Sequence, residues 1–174
     1  MSYSFTLKYQ LSDHDRDHDD IVERLFEAGC DDATIGVGQP GRIALTFTRE
    51  SPDAWSAIFT ALGDIKRAVP SARLVEAGPD FVGLTDIADL AGVTRQNMRK
   101  LMLTHASDFP LPVHEGNPSI WHLSDVLVWL MNRGSYPIST PLIEVAKWTK
   151  QVNLAKDARA IEPRFNRQLA PLLT

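Results

Sequence analysis

Cysteine is almost missing from this chain: Cys30 is the only one among 174 residues. No intrachain disulfide can form and no zinc ribbon can be assembled, which fits a reducing cytosol. Long apolar runs are missing too. The longest, residues 126–131, falls far short of the roughly 20 residues that cross a bilayer. Residues 1–10 lack a charged start followed by an apolar stretch, so no secretory leader is expected. No G-x-S-x-G, P-loop or G-x-G-x-x-G occurs, which removes the commonest nucleophile-elbow and phosphate-cradle signals. Cys30 follows a glycine and adjoins Asp31 and Asp32, whose charge raises a thiol pKa and so disfavours the thiolate. The expectation is a cytoplasmic protein that is not an enzyme, binds no cofactor or metal, and does not engage a membrane.

Positive charge is scarce as well, with 18 Lys+Arg against 22 Asp+Glu, but the deficit is local. Residues 1–80 hold 8 basic and 14 acidic side chains, net −6, whereas residues 81–174 hold 10 and 8, net +2. An asymmetry of this kind separates two jobs. Hydrophobic residues make up 44% and charged residues 23%, an ordinary globular composition able to bury a core.

Residues 3–11 alternate, with Phe5, Leu7, Tyr9 and Leu11 on one face, which predicts a strand. After an acidic loop, Ile21, Val22, Leu25, Phe26 and Ala28 follow helical spacing, with Asp19 as the expected cap and Gly29 as the stop. Ile35 and Val37 mark a second strand. A turn at residues 39–41 leads to a third strand, with Ile43, Leu45 and Phe47 aligned. Ser51 or Asp53 then opens a helix through Trp55, Ile58, Phe59, Leu62, Ile65 and Val69, which Pro70 ends. Residues 72–77 read as a fourth strand. The order β-α-β-β-α-β predicts a ferredoxin-like domain over residues 1–78 that senses a ligand, dimerises or docks a partner. The expected fold class is α+β: this domain, a mainly helical winged helix-turn-helix domain over residues 81–134, and a C-terminal helix over residues 140–162.

Gly78 and Pro79 mark the boundary, and downstream the character changes. Two helices are expected between residues 84 and 102, joined at Gly92 and Val93. Thr85 is placed as the cap of the first, with Ile87, Ala88 and Ala91 on its buried side. Thr94 is placed as the cap of the second, with Met98, Leu101 and Met102 packing inward. Arg95, Gln96, Asn97, Arg99 and Lys100 then point outward. Arginine suits guanine and the carboxamides suit adenine, because each forms two parallel hydrogen bonds with a base edge. Thr94, Arg99 and Lys100 suit phosphates at a helix N-terminus. No acid occurs between Asp89 and Asp108.

Downstream come Phe109-Pro110-Leu111-Pro112, a short loop over residues 113–120, Trp121, Ser124-Asp125 and Trp129-Leu130. With "LTDIADLAGVTRQNMRKLM" before it, this pattern resembles the helix-turn-helix domains of the MerR/excisionase superfamily, particularly the small AlpA-like phage and prophage regulators. The resemblance covers residues 81–134, about a third of the chain. It implies a wing after the helix pair, Ser124 capping the next helix, and transcription regulation through double-stranded DNA. Relatives carry arginines or lysines in the wing. Here the wing offers only His114, Asn117 and His122, with Glu115 between, so its contribution is expected to be the weaker one.

The remaining features have plainer readings. His14 and His18 stand four apart among aspartates, and a solvated loop accounts for them better than a metal site. Trp55, Trp129 and Trp148 fall in helical apolar patterns and are expected to pack, while Trp121 buttresses the helix pair. The last expected helix, with Ile143, Ala146, Val152 and Ala155 on its stripe, packs on its own domain or forms a dimer seam. A homodimer is favoured, since one recognition helix with a weak wing binds poorly and two half-sites remedy that. The alternative function is an antitoxin or other partner-neutralising module. Its acidic first half would hold a protein partner such as a toxin, and it could also autoregulate its operon.

Overall fold

The structure, a computed structural model, describes residues 1–15 and 17–173. Its first half is built on alternation. Strands β1 (Ser2–Gln10), β2 (Ala33–Val37), β3 (Arg42–Glu50) and β4 (Arg73–Gly78) form one antiparallel sheet in the order β2-β3-β1-β4. β1 and β3 align so that Phe5 faces Phe47, Leu7 faces Leu45 and Tyr9 faces Ile43. All six are buried, and Phe5 stacks on Phe47 at 5.1 Å. The opposite face, with Ser4, Lys8, Thr46 and Thr48, is polar and open to solvent. A sheet with one wet face needs a single covering layer. Helices α1 (His18–Glu27) and α2 (Ala54–Ala68) supply it through Ile21 and Leu25, and through Ala57, Ile58, Ala61 and Ile65.

The capping residues correct two expectations. Asp17, not Asp19, caps α1, accepting from the Asp19 and Asp20 amides at 3.1 and 3.3 Å. Asp19 thereby sits inside the first turn, where its charge suits the helix dipole. The helix starts at His18 and leaves His14 in the preceding turn, so the two histidines share no helix face. For α2, Asp53 is the cap, accepting from Ser56 N at 2.7 Å.

Among the described residues, one cation is buried inside this body. Arg49 donates two hydrogen bonds to Asp32, at 2.7 and 2.9 Å, one to Asp64 at 2.8 Å and one to the Gly29 carbonyl at 2.7 Å. Its pKa is pushed up, first by the hydrogen bonds to Asp32. Every partner a buried guanidinium requires is present.

The second core is helical. It gathers Val82, Ile87, Ala88, Ala91, Met98, Phe109, Trp121, Leu123, Val126, Leu127 and Leu130. The contributing elements are β5 (Phe81–Val82), α3 (Leu84–Ala91), α4 (Arg95–Thr104), β6 (Trp121–His122) and α5 (Leu123–Arg133), with β5 and β6 paired antiparallel. Two further caps differ from expectation. Gly83, not Thr85, precedes α3, and its amide donates to Asp86 Oδ2 at 2.8 Å. His122 precedes α5, and Ser124 lies buried within it.

Helix α6 (Thr140–Ala158), the last expected helix, packs on both cores. Val145 enters the sheet core and its neighbour Ala146 enters the helical core. Trp148 meets Trp55 of α2 at 4.9 Å, and Lys150 holds Asp125 of α5 at 2.7 and 2.8 Å. Two polar residues are buried along it. Thr149 Oγ1 donates to the Pro79 carbonyl at 2.7 Å, and Asn153 Nδ2 donates to Asp80 Oδ2 at 2.8 Å. Ala155, expected on the stripe, is exposed. A short helix, α7 (Pro163–Leu169), lies beyond the expected stop; Pro163 opens it, and it buries no residue. Among the described residues there are seven α-helices, and none is long and apolar enough to cross a membrane.

Candidate nucleic-acid interface

Glycine sets the angle between α3 and α4. Gly92 adopts φ 69° and ψ 30°, the left-handed region that costs other residues energy. A Cβ there would meet no atom within 4 Å, so the requirement is the dihedral alone and not space. The Gly92 and Val93 amides close α3 onto the Asp89 and Ala88 carbonyls at 3.2 and 3.0 Å. Thr94 then starts α4, its Oγ1 accepting from Asn97 N at 3.1 Å. Ala88, fully buried, leaves room for Met98, which is also fully buried, beneath the crossing helix. Leu101 and Met102 lie partly buried against the same core, and Val93 plugs the turn.

That packing decides what α4 displays. Thr94, Arg95, Gln96, Asn97, Arg99 and Lys100 are all exposed. Around the helix, Gln96 and Lys100 lie at the centre of the outward face, Arg95 and Arg99 on one flank, and Asn97 on the other. Arg95, Arg99 and Lys100 have no ion-pair partner among the described residues. Asp108, the first acid downstream, accepts instead from Trp129 Nε1 at 3.0 Å and lies 3.6 Å from His105. The surface is thus cationic and carboxamide-bearing at a helix N-terminus, where the unpaired backbone amides add positive potential. The pattern of expected readers omits one neighbour. Leu103 is 61% exposed and shares the face of Gln96 and Lys100, seven and three residues on. Its helical spacing was the available signal.

Residues 113–120, expected as a wing, form a small hairpin held by its aromatic base. Val113 N donates to the Ile120 carbonyl at 2.7 Å, and Ile120 N donates to the His114 carbonyl at 3.0 Å. Trp121 is buried, donates Nε1–H to the Pro110 carbonyl at 3.0 Å and meets Phe109 edge-on at 6.0 Å. Asn117 is exposed near the tip. His114 is exposed too, but its ring lies over Gly116, so close that a Cβ on that glycine would collide with it. His122 is turned inward: its Nδ1 lies 2.7 Å from Oδ1 of Asp80, whose side chain is wholly buried, and its ring rests against Phe81 at 5.4 Å. The three expected wing contacts therefore divide, with two outside and His122 tying β6 to the chain between the cores. The Asp80 carboxylate is shared between His122 and Asn153, so β6, this connection and α6 form one hydrogen-bonded chain.

No family model, curated protein or solved structure matches the chain.

Proposed function

We propose that the protein is a sequence-specific, double-stranded-DNA-binding regulator that lays α4 in the major groove and acts as a homodimer. The observation that carries this reading is the outward face of α4, with three unpaired cations and two carboxamides on a helix whose opposite side is locked by Met98. Arg95, Gln96 and Asn97 read base edges. Thr94, Arg99 and Lys100 hold phosphates, and Leu103 is suited to a thymine methyl. The tight α3–α4 turn and the hairpin after it support a winged helix-turn-helix reading of residues 81–134. The strand order β2-β3-β1-β4, with both α1 and α2 on one face, supports a ferredoxin-like reading of residues 1–78. No catalytic step is assigned to either half.

The test begins with selection of bound sequences from a random duplex library by the full chain, followed by mobility shifts on the selected site. Arg95→Ala and Asn97→Ala are each expected to lower affinity by about 1–3 kcal/mol and to relax preference at one position. Arg99→Ala and Lys100→Ala are expected to weaken all sequences alike and to flatten the salt dependence by about 0.9 for each phosphate no longer neutralised. Binding unchanged in all four variants would remove α4 from the interface.

A further inference from the structure

The two edges of the sheet are finished differently. Along β4, Asn153 of α6 behaves like a neighbouring strand: its Oδ1 accepts from Ala77 N and its Nδ2 donates to Ala77 O, both at 2.8 Å. Lys156 Nζ takes the Val75 carbonyl at 2.6 Å. That edge is closed. Along β2 the cross-strand bonds from Thr48 N to Asp32 O, at 3.1 Å, and from Gly38 N to Arg42 O, at 3.3 Å, set the pattern. Residues 32, 34, 36 and 38 direct their main-chain groups toward β3, so Ile35 and Val37 direct theirs away from the sheet. Among the described residues nothing bonds to those outward groups.

Protein edges are commonly guarded by charge, proline or a bulge. Ala33–Val37 has none of these, and its register with β3 is unbroken. Helix α1 extends the same side. Arg24 reaches toward α2, donating to the Ala68 carbonyl at 3.3 Å. Val22 and Phe26 lie nearly half a turn round from Arg24, on the flank away from α2; with α2 touching β1 and α6 covering β4, that flank is the one on the β2 side of the sheet. They are 42% and 65% exposed, and Val37 is 53% exposed. An open strand edge and an apolar helix flank thus stand side by side.

We propose that β2 pairs antiparallel with β2 of a second copy about a two-fold axis at Ile35, with α1 packing on α1 through Val22 and Phe26. Self-complementarity identifies the occupant. The outward N–H and C=O of Ile35 match their own symmetry image as a closely spaced pair, and an apolar flank meets an apolar flank. A cationic partner would instead seek the acidic crest of the helix, Asp19, Glu23 and Glu27. The pairing yields one continuous eight-stranded sheet with Thr34 opposite Gly36 of the mate. Its area falls at the small end of specific interfaces, about 1,200 Å² or less, so the dimer is concentration-dependent and tightens when both copies hold one duplex. The inference rests on the DNA-binding reading only for its purpose, a second recognition helix. Its test therefore uses protein without DNA.

Full-length Thr34→Cys and Gly36→Cys chains are mixed under mild oxidation. Opposed Cα atoms in a widely spaced pair lie about 4.5 Å apart, within disulfide range. The mixture is expected to give a cross-linked dimer on a non-reducing gel, and either chain alone far less. In sedimentation equilibrium the native chain is expected to show a reversible monomer–dimer equilibrium. Phe26→Asp with Val37→Asp should weaken that dimer roughly tenfold or more, whereas Thr48→Asp on the open sheet face should not; circular dichroism checks that each variant folds. A native chain that stays monomeric, equal cross-linking in all three samples, or dissociation by Thr48→Asp instead would overturn the proposal. Loss of DNA binding with the dimer intact would count against the α4 reading alone.

Discussion

In the sheet-bearing body Arg49 lies enclosed by Asp32, Asp64 and the Gly29 carbonyl, while in the helical body Arg99 stands in solvent with no ion-pair partner among the described residues. The same contrast runs through both halves. Lys8 pairs with Glu76, Arg24 with Asp15 and Asp20, and Arg67 with Asp64, so with Arg49 the acidic half turns four of its cations onto its own carboxylates. Arg95, Arg99 and Lys100 are left to the outside. Net charge is therefore a poor guide to partners here. What a polyanion meets is the set of cations that the fold has not already neutralised, and three of these stand together on α4.

The comparison is open to direct attack. Arg49→Met should cost about 3–5 kcal/mol in urea denaturation, because Asp32 and the buried Asp64 lose the guanidinium they share. Arg99→Met, the same change in the other body, should stay within about 0.5 kcal/mol. Similar losses at both positions would erase the distinction between an enclosed and a displayed arginine. Next in size is Asn153→Leu, expected to cost about 1–3 kcal/mol by leaving the Ala77 main chain and Asp80 Oδ2 without a partner. The loss should appear as one shifted transition, since the residue serves both cores; two separated transitions would contradict that. The smallest effect concerns Cys30. Burial first, and then the charge of Asp64, push its thiol up to about 11. Thiol reagents should label the native protein very slowly at pH 8 and much faster in urea. The unfolded chain releases this proton nearer the ordinary value of 9.0, while the folded chain retains it, so stability should fall as pH rises from about 9 through about 11. Rapid native labelling would show that the site is not closed.

The strands, the two helices of the sheet body and the Gly92 turn were legible because each presents one apolar face to one core. Alternation at Phe5, Leu7 and Tyr9, and helical spacing at Ile87, Ala88 and Ala91, contain that geometry outright. Helix α6 is different. With Val145 and Ala146 serving opposite sides, its apolar positions form no single stripe, and the stripe read through Ala155 was misplaced. Buried polar residues were not legible either, since Asn153 gains its meaning from Ala77 and Asp80, far away in the chain. The caps at Asp17, Gly83 and His122 differ from those expected because several Asp, Ser or Thr residues lie close together, and only the path of the preceding chain selects among them. His122 reads as an exposed wing residue until β6 pairs with β5 and turns its ring onto Asp80.

Val145 and Ala146 adjoin in the chain yet belong to different interiors, and this limits how the protein can be cut up. A transplant ending at Gly134 would carry the displayed helix but abandon Ala146, the Lys150 anchor on Asp125 and the Asn153 clasp on Asp80. Its host would inherit a hollow where a neighbour used to lie. Any portable version of the helical body has to bring residues 140–158 with it, together with a substitute for the sheet they lean on.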